Sequence, residues 1–144
     1  MVNKIDLKDE IRFNELGLLI NCNFSNLYKL GQIINSQYDS IYGYYDNNFL
    51  VGFIHITKLY ETVDIVNIVV DCQYRKKGIA TKLINYVICL FDDIDNIMLE
   101  VNEKNLAAIS LYKKNKFKII SKRKNYYGKD TALIMKRDVD NGRC

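Results

Sequence analysis

The sequence contains no proline, so every turn in it must rest on glycine, asparagine or aspartate. Histidine is nearly absent too. The single one, His55, falls inside the apolar run Val51–Ile56 and reads as a strand-face residue. A Ser-His-Asp or Cys-His mechanism would have to use that one ring, which argues against triad chemistry. The four cysteines, Cys22, Cys72, Cys89 and Cys144, are scattered without C-x-x-C spacing, which speaks against a zinc site or a disulfide framework. No apolar run reaches the roughly 18 residues of a membrane span, and the N-terminus lacks a basic-then-apolar signal pattern. The expected location is the cytoplasm. An excess of one charge is missing as well: 21 Lys and Arg against 17 Asp and Glu leave a net charge of +4, too modest to demand nucleic acid and suited to a polyphosphate ligand.

What is present is ordinary for a folded domain. A chain of 144 residues, 49% hydrophobic and 26% charged, makes one domain that buries roughly two-thirds of its unfolded surface. Residues 2–7 form a first strand. Residues 8–21 and 25–36 read as helices, the second with Ser25 as N-cap and Leu27, Leu30, Ile33 and Ile34 as its apolar stripe. Residues 40–45, 49–58 and 62–70 read as a strand meander whose first turn is Asp46-Asn47-Asn48. A helix over 80–91, a strand over 96–101, a helix over 106–115 and strands over 117–124 and 131–137 complete the order. This order predicts an α/β (mixed α+β) domain over 1–137, with a mixed, mostly antiparallel sheet and helices on both faces. Residues 138–144 are expected to form a loose tail.

The stretch Asp71-Cys72-Gln73-Tyr74-Arg75-Lys76-Lys77-Gly78-Ile79-Ala80-Thr81 joins the strand ending at Val70 to the helix whose apolar positions are Ala80, Leu83, Ile84, Val87, Ile88 and Phe91. The first backbone N–H groups of a helix lack internal partners and point outward at its positive end. Gly78 leaves room for an anion to approach the backbone, Thr81 adds a hydroxyl, and Arg75, Lys76 and Lys77 add charge. The pattern arginine-x-x-glycine-x-alanine after a buried strand resembles the acetyl-CoA pyrophosphate loop of the GNAT superfamily of N-acetyltransferases.

A second signal lies downstream. In Ile97-Met98-Leu99-Glu100-Val101 a carboxylate sits between apolar neighbours, and alternation puts Glu100 on the face of Met98, opposite Leu99 and Val101. Partly removed from water, such a group exchanges a proton near neutral pH; fully exposed, it is an ordinary strand-end glutamate. The run from Leu99 through Asn102-Glu103-Lys104-Asn105 to Leu106-Ala107-Ala108-Ile109-Ser110-Leu111-Tyr112 and Phe117 resembles the signature of the RimI-type branch of GNAT, which acetylates ribosomal-protein N-termini. Arg123-Lys124-Asn125-Tyr126-Tyr127 is similar to the same branch's tyrosine hairpin. The resemblance covers residues 50–137 well and the first fifty in outline.

That resemblance implies a set of roles. Backbone groups of Ile68, Val69 and Val70 would pair with the pantetheine arm of acetyl-CoA, in a splay between neighbouring strands. Amides of Lys76, Lys77, Gly78, Ile79, Ala80 and Thr81 would hold the pyrophosphate, and Asn105 would contact the cosubstrate. Glu100 would be the general base and Tyr112 the general acid beside the sulfur. Tyr126 and Tyr127 would shape the slot for an incoming peptide N-terminus, in the family the N-terminal alanine of a small-subunit ribosomal protein. A backbone N–H near Val70 is the natural oxyanion donor. No metal, nucleic acid or membrane is required.

The chemistry suits these residue types. A peptide α-amine, with a pKa of about 7.7 to 8.0, needs one carboxylate to collect its proton. A thiolate leaving group has a reference pKa of about 8.5 against about 10 for tyrosine, so full proton transfer from Tyr112 requires a lowered tyrosine pKa and hydrogen bonding does not. Two positions depart from the family: Lys116 replaces the glycine before Phe117, leaving Asn115 to close the helix in a left-handed cap, and Ala80 replaces a commoner glycine. Two other readings stay open. One keeps the fold and makes the acceptor a lysine side chain or a small amine. The other is a basic RNA- or ribosome-binding module along residues 113–124, although alternation with Phe117 and Ile119 marks those lysines as a solvated face.

Overall fold

In place of proline, residues in left-handed conformations turn the chain. Asn47 (φ 49°) and Asn48 (φ 68°) connect β2 (Asp39–Asp46) to β3 (Phe49–Leu59). Positive φ at both positions defines the tight hairpin that asparagine tolerates well. Tyr60 (φ 54°) begins the turn into β4 (Thr62–Val70). The computed structural model of the chain describes residues 1–127 and 130–140, with 125–127 described in backbone only. Its remaining elements are β1 (Val2–Lys4), a 3-10 turn (Leu7–Asp9), α1 (Glu10–Gly17), α2 (Phe24–Leu27), α3 (Leu30–Asn35), α4 (Ile79–Leu90), β5 (Asn96–Asn102), α5 (Leu106–Lys114), β6 (Lys118–Tyr127) and β7 (Asp130–Asp138). The sheet runs β1-β2-β3-β4-β5-β7-β6. All neighbours are antiparallel except β4 and β5, which gives the mixed sheet that the order of elements predicts.

Each face of the sheet carries its own core. On one side α4 and α5 bury Leu83, Ile84, Val87, Ile88, Ile109 and Tyr112 against Ile54, Ile56, Ile97 and Leu99. On the other, α1 to α3 bury Phe13, Leu16, Phe24, Leu30 and Ile33 against Ile41, Phe53 and Val69. The helix expected over 25–36 is two helices here, broken where Tyr28 and Lys29 take extended conformations. Phe24 and Leu30, six residues apart, would lie about 240° apart around one continuous helix. The break lets both reach the sheet, while Leu27 and Ile34 stay exposed. Ser25 therefore lies inside α2 and caps nothing; the N-cap is Asn23. Helix α1 stops at Gly17, where any side chain would collide with the Phe24 ring.

Three further expectations need revision. The tail is not loose from 138: β7 includes Asp138, the Val139 amide donates to the Asp95 carbonyl at 2.8 Å, and Val139 packs on the core. Ile119 is 39% exposed, because β6 is an edge strand, so the segment over 113–124 buries Phe117 but not Ile119. Cys22 and Cys72 are free, whereas Cys89 is disulfide-bonded, a link that the scattered spacing did not announce. Among the described residues no helix is long and apolar enough to cross a membrane.

Candidate active site

Strands β4 and β5 pair through three residues, Thr62↔Asn96, Val63↔Ile97 and Asp64↔Met98. Beyond that point β4 stays paired to β3 on its other edge, through Ile54↔Ile68, Phe53↔Val69 and Gly52↔Val70, and β5 stays paired to β7 through Asn102. Ile68, Val69 and Val70 thus line a gap between two well-held strands. Their side chains are used in packing, Ile68 and Val70 toward the α4 side and Val69 toward the other, so the edge facing β5 offers backbone groups. An irregularity helps set this up. Ile56 pairs with Ile65 but His55 pairs with Asn67, which leaves Val66 as an extra residue in β4. Such a bulge bends a strand and re-aims the side chains beyond it. Asn67 and Val69 consequently face the α1–α3 side, whereas Val63 and Ile65 face α4.

The basic turn leads from this gap into α4. Asp71 anchors it: its amide donates to Val51 O at 2.8 Å, and its carboxylate accepts from the Gln73 amide at 2.9 Å and from Arg12. Arg12 also donates to Leu50 O at 2.8 Å and lies over the Phe49 ring. Lys76 (φ 62°) and Gly78 (φ 78°) are both left-handed. Gly78 is the N-cap of α4 and supplies no side-chain cap, and a Cβ there would meet nothing within 4 Å. The first-turn amides of α4, at Ile79, Ala80 and Thr81, therefore face an open cradle rimmed by exposed Lys76 and Lys77. These features fit a phosphate group. The Ile79 side chain is buried, leaving its amide for a ligand. Thr81 differs from expectation, because its Oγ1 accepts from Asn115 Nδ2 at 3.2 Å. The hydroxyl joins the α4 start to the α5 end, and no sequence spacing announced that link.

Helix α5 is closed at both ends. Asn105, expected at the cosubstrate, is the N-cap, and its Oδ1 accepts from the Ala108 amide at 3.2 Å. At the other end Asn115 keeps φ at −93° and is not the left-handed residue. Lys116 itself takes φ 71°. The Phe117 amide donates to Tyr112 O and the Lys116 amide to Lys113 O, both at 3.0 Å, which is the Schellman closure usually built on glycine. The hydrophobic contact of that motif is the Tyr112 ring edge-on to Phe117 at 5.8 Å. Tyr112 is 8% exposed, and burial pushes its pKa up to about 12. The lowered pKa that full proton transfer to a thiolate would need is not met; as a neutral hydrogen-bond donor the residue is well suited.

Glu100 is not enclosed by apolar neighbours. Its side chain is 31% exposed and lies 3.3 Å from Arg123 of β6. Asp64, passed over in the sequence as one position of an apolar strand, lies on the same face. Partial removal from water, with the charge of Glu100 second, holds its carboxyl above the usual range. The signal that could have found it is the one that found Glu100: a carboxylate alternating with buried residues. Tyr126 and Tyr127 have side chains outside the described residues. His55 is buried, with Nε2 2.6 Å from Asp39 Oδ1, while Ser36 donates to the other oxygen of Asp39 at 2.6 Å. The serine thus bonds the carboxylate and not the imidazole, so nothing there activates a nucleophile. The hollow of about 440 Å³ lined by Met1, Asn3, Lys4, Asp6 and Tyr45 lies against edge strand β1, away from this gap.

Among the described strands, a mixed sheet split at its one parallel junction, with an uncapped helix start beside the split, defines an α/β fold with an open cleft. Residues 14–117 match the Acetyltransferase (GNAT) family, and the chain belongs to it. It is 36% identical over 104 residues to an N-alpha-acetyltransferase of Saccharolobus solfataricus, covering 67% of this chain and 62% of that protein. It is 30% identical over 95 residues to the [ribosomal protein bS18]-alanine N-acetyltransferase of Escherichia coli K12, covering 62% of this chain and 64% of that one. The matched stretches thus span less than two thirds of these relatives' lengths. Among solved structures, Arabidopsis thaliana NAA60 in complex with a bisubstrate analogue superimposes with a TM-score of 0.86 at 20% identity, over 99% of each chain, a likeness of fold.

Proposed function

We propose that the protein transfers the acetyl group of acetyl-CoA to the N-terminal α-amine of a protein, a ribosomal protein being the first candidate, in the cytoplasm. The observation that carries this reading is the open start of α4 beside the unpaired edge of β4. The amides of Lys76, Lys77, Gly78, Ile79, Ala80 and Thr81 would hold the pyrophosphate, and the backbone of Ile68, Val69 and Val70 the pantetheine arm. Asn105, engaged in capping through Oδ1, retains its amide N–H groups for the cosubstrate. Acetyl-CoA supplies an activated thioester; the chain's own residues position it and manage protons. Glu100 takes the proton of the attacking amine. Tyr112 donates a hydrogen bond to the departing sulfur and keeps its own proton, since a pKa of about 12 against about 8.5 makes transfer uphill by roughly 5 kcal/mol. Tyr126 and Tyr127 would border the acceptor slot. The names of the relatives that match by sequence support the N-terminal acceptor over a lysine or small amine.

Two measurements test the reading. Acetyl-CoA should raise thermal stability, by about 2.7 kcal/mol at a hundredfold excess over its dissociation constant. Intact mass should show one acetyl group on peptides starting with Ala, Ser or Met, and none on a lysine peptide with a blocked terminus. Acetylation confined to the lysine peptide would move the acceptor assignment to side chains.

A further inference from the structure

The polar residues beside the β4–β5 gap extend beyond Glu100. Register partners share a face of the sheet, so Asp39, Thr57, Asp64, Met98 and Lys136 form one row across β2, β3, β4, β5 and β7. This row lies on the face opposite α4, and Asp64↔Met98 is its last pair before the strands part. Glu100 is two residues further along β5 on that face. The Cα atoms of Asp64 and Glu100 are therefore offset by about 6.6 Å along the strands and about 4.8 Å across them, roughly 8 Å in all. The two carboxylates stand on opposite lips of the opening. Arg123 holds Glu100 from the β6 side at 3.3 Å. Asn67, further along β4, turns a buried Nδ2 toward the same side of the sheet with no acceptor among the described residues, a donor that a peptide carbonyl would satisfy.

We infer that Asp64 and Glu100 act as a carboxylate pair that receives the acceptor as an ammonium ion across the mouth of the β4–β5 gap and shares the proton it releases, making Asp64 a second catalytic residue. The inference rests on the transferase reading above. The ammonium gives one proton to the pair, and the freed nitrogen lone pair forms the C–N bond to the thioester carbon. The nitrogen then loses a second proton as the C–S bond breaks, and the thiolate leaves with the bonding electrons and is protonated. Ammonium plus acetyl thioester thus yields amide, thiol and one proton released to solvent. Two nearby carboxylates cannot both ionise as readily as one. The raised pKa of Asp64 is in keeping with this. Among the described residues, the other charged and titratable groups on this face include the His55–Asp39 couple, Arg123 paired with Glu100, Lys136 paired with Asp138 at 3.5 Å and its register partner Lys118, with Tyr28 and Tyr45 toward the α1–α3 core.

The test compares the parent, Asp64→Asn and Asp64→Glu on an Ala-initiated peptide with acetyl-CoA, from about pH 5.5 to 9.5. In Asp64→Asn, kcat/KM should fall at least about tenfold near neutral pH. Its acidic limb should move to lower pH, because the carboxyl that is held above the usual range is then gone. Acetyl-CoA-induced stabilisation should persist, and Asp64→Glu should keep the parent's limb. A kcat/KM and a limb equal to the parent's in Asp64→Asn overturn the pair, as does an Asp64→Glu variant that loses as much as Asp64→Asn. If Asp64→Asn does not fold, the carbon-13 titration of the Asp64 carboxyl in Glu100→Gln decides: a shift to lower pH supports the pair and an unmoved curve overturns it. A parent that binds acetyl-CoA but leaves every free-amine peptide unmodified overturns the transferase reading itself, a failure of the parent and not of the variant.

Discussion

Helices α4 and α5 lie on the same face of the sheet and share one core, yet they begin in opposite ways. Helix α5 starts on Asn105, whose own Oδ1 occupies a first-turn amide. Helix α4 starts on Gly78, which brings no side chain and leaves the amides open. Their ends differ as well: α5 closes with a left-handed Lys116, while α4 runs into extended Phe91. One helix satisfies its termini from within the chain, at a gain in local stability. The other leaves its positive end open. The difference teaches that the missing cap coincides with open space and with a strand edge left unpaired, and that coincidence is what the proposed function rests on.

The sharpest way to break the contrast is to give α4 the cap that α5 has. In Gly78→Asp a carboxylate would fill the cradle, and the loss of a few charge-assisted hydrogen bonds, each about 1.5 to 3 kcal/mol, should weaken acetyl-CoA at least about a hundredfold. The apo protein should remain folded, because aspartate tolerates the left-handed region and the space is open. Calorimetric titration checks this; unchanged affinity would place the ligand elsewhere. Next in size is Tyr112→Phe, which keeps the ring against Phe117 and removes the hydroxyl. Turnover should fall by about ten- to two-hundredfold with acetyl-CoA affinity preserved. The penalty should narrow with an acetyl thioester of lower thiol pKa.

The same residue gives a stability prediction. Its folded pKa of about 12 exceeds the unfolded value of about 10, so the contribution is complete below pH about 10 and fades as pH rises toward about 12. Tyr112→Phe should therefore lose less stability than the parent over that range, by up to about 2 to 3 kcal/mol in denaturant titrations. Removing the α5 cap in Asn105→Ala should cost about 1 kcal/mol. The smallest effect should come from Lys116→Gly, which relieves a left-handed lysine and should raise stability by roughly 0.5 to 1 kcal/mol. A loss there would show that the lysine side chain contributes more than its backbone strain costs.

Much of this was legible in the residues because the C-terminal half depends on local signals. Gly78 before an apolar helix and Glu100 within an alternating strand carry their geometry in adjacent positions, as does the asparagine turn at Asn47 and Asn48 in the first half. The N-terminal half was harder to read. Ser25–Ser36 has helical spacing throughout, and what breaks it is the need of Phe24 and Leu30 to reach one sheet, a tertiary demand that overrides local preference. The same holds within the site. Asn115 reaches Thr81 across 34 positions, and Asp64 gains meaning only when the parallel junction brings it beside Met98. Lys116 shows a local rule displaced: without glycine, the lysine takes the conformation the closure requires.

The brevity of the β4–β5 ladder bears on the order of assembly. Strands β2 to β4 meet their neighbours through short turns, and the β6–β7 hairpin closes onto β5. Joining the two sets requires the chain to return from β4 through all of α4, a larger loop whose closure is rewarded by three ladder pairs and the packing of α4. Loop entropy of this kind slows non-local pairing. The meander and the C-terminal strands should therefore gain protection from amide exchange first, with Val63 and Ile97 protected later. The seam at the centre of the sheet closes last and, under denaturant, parts first.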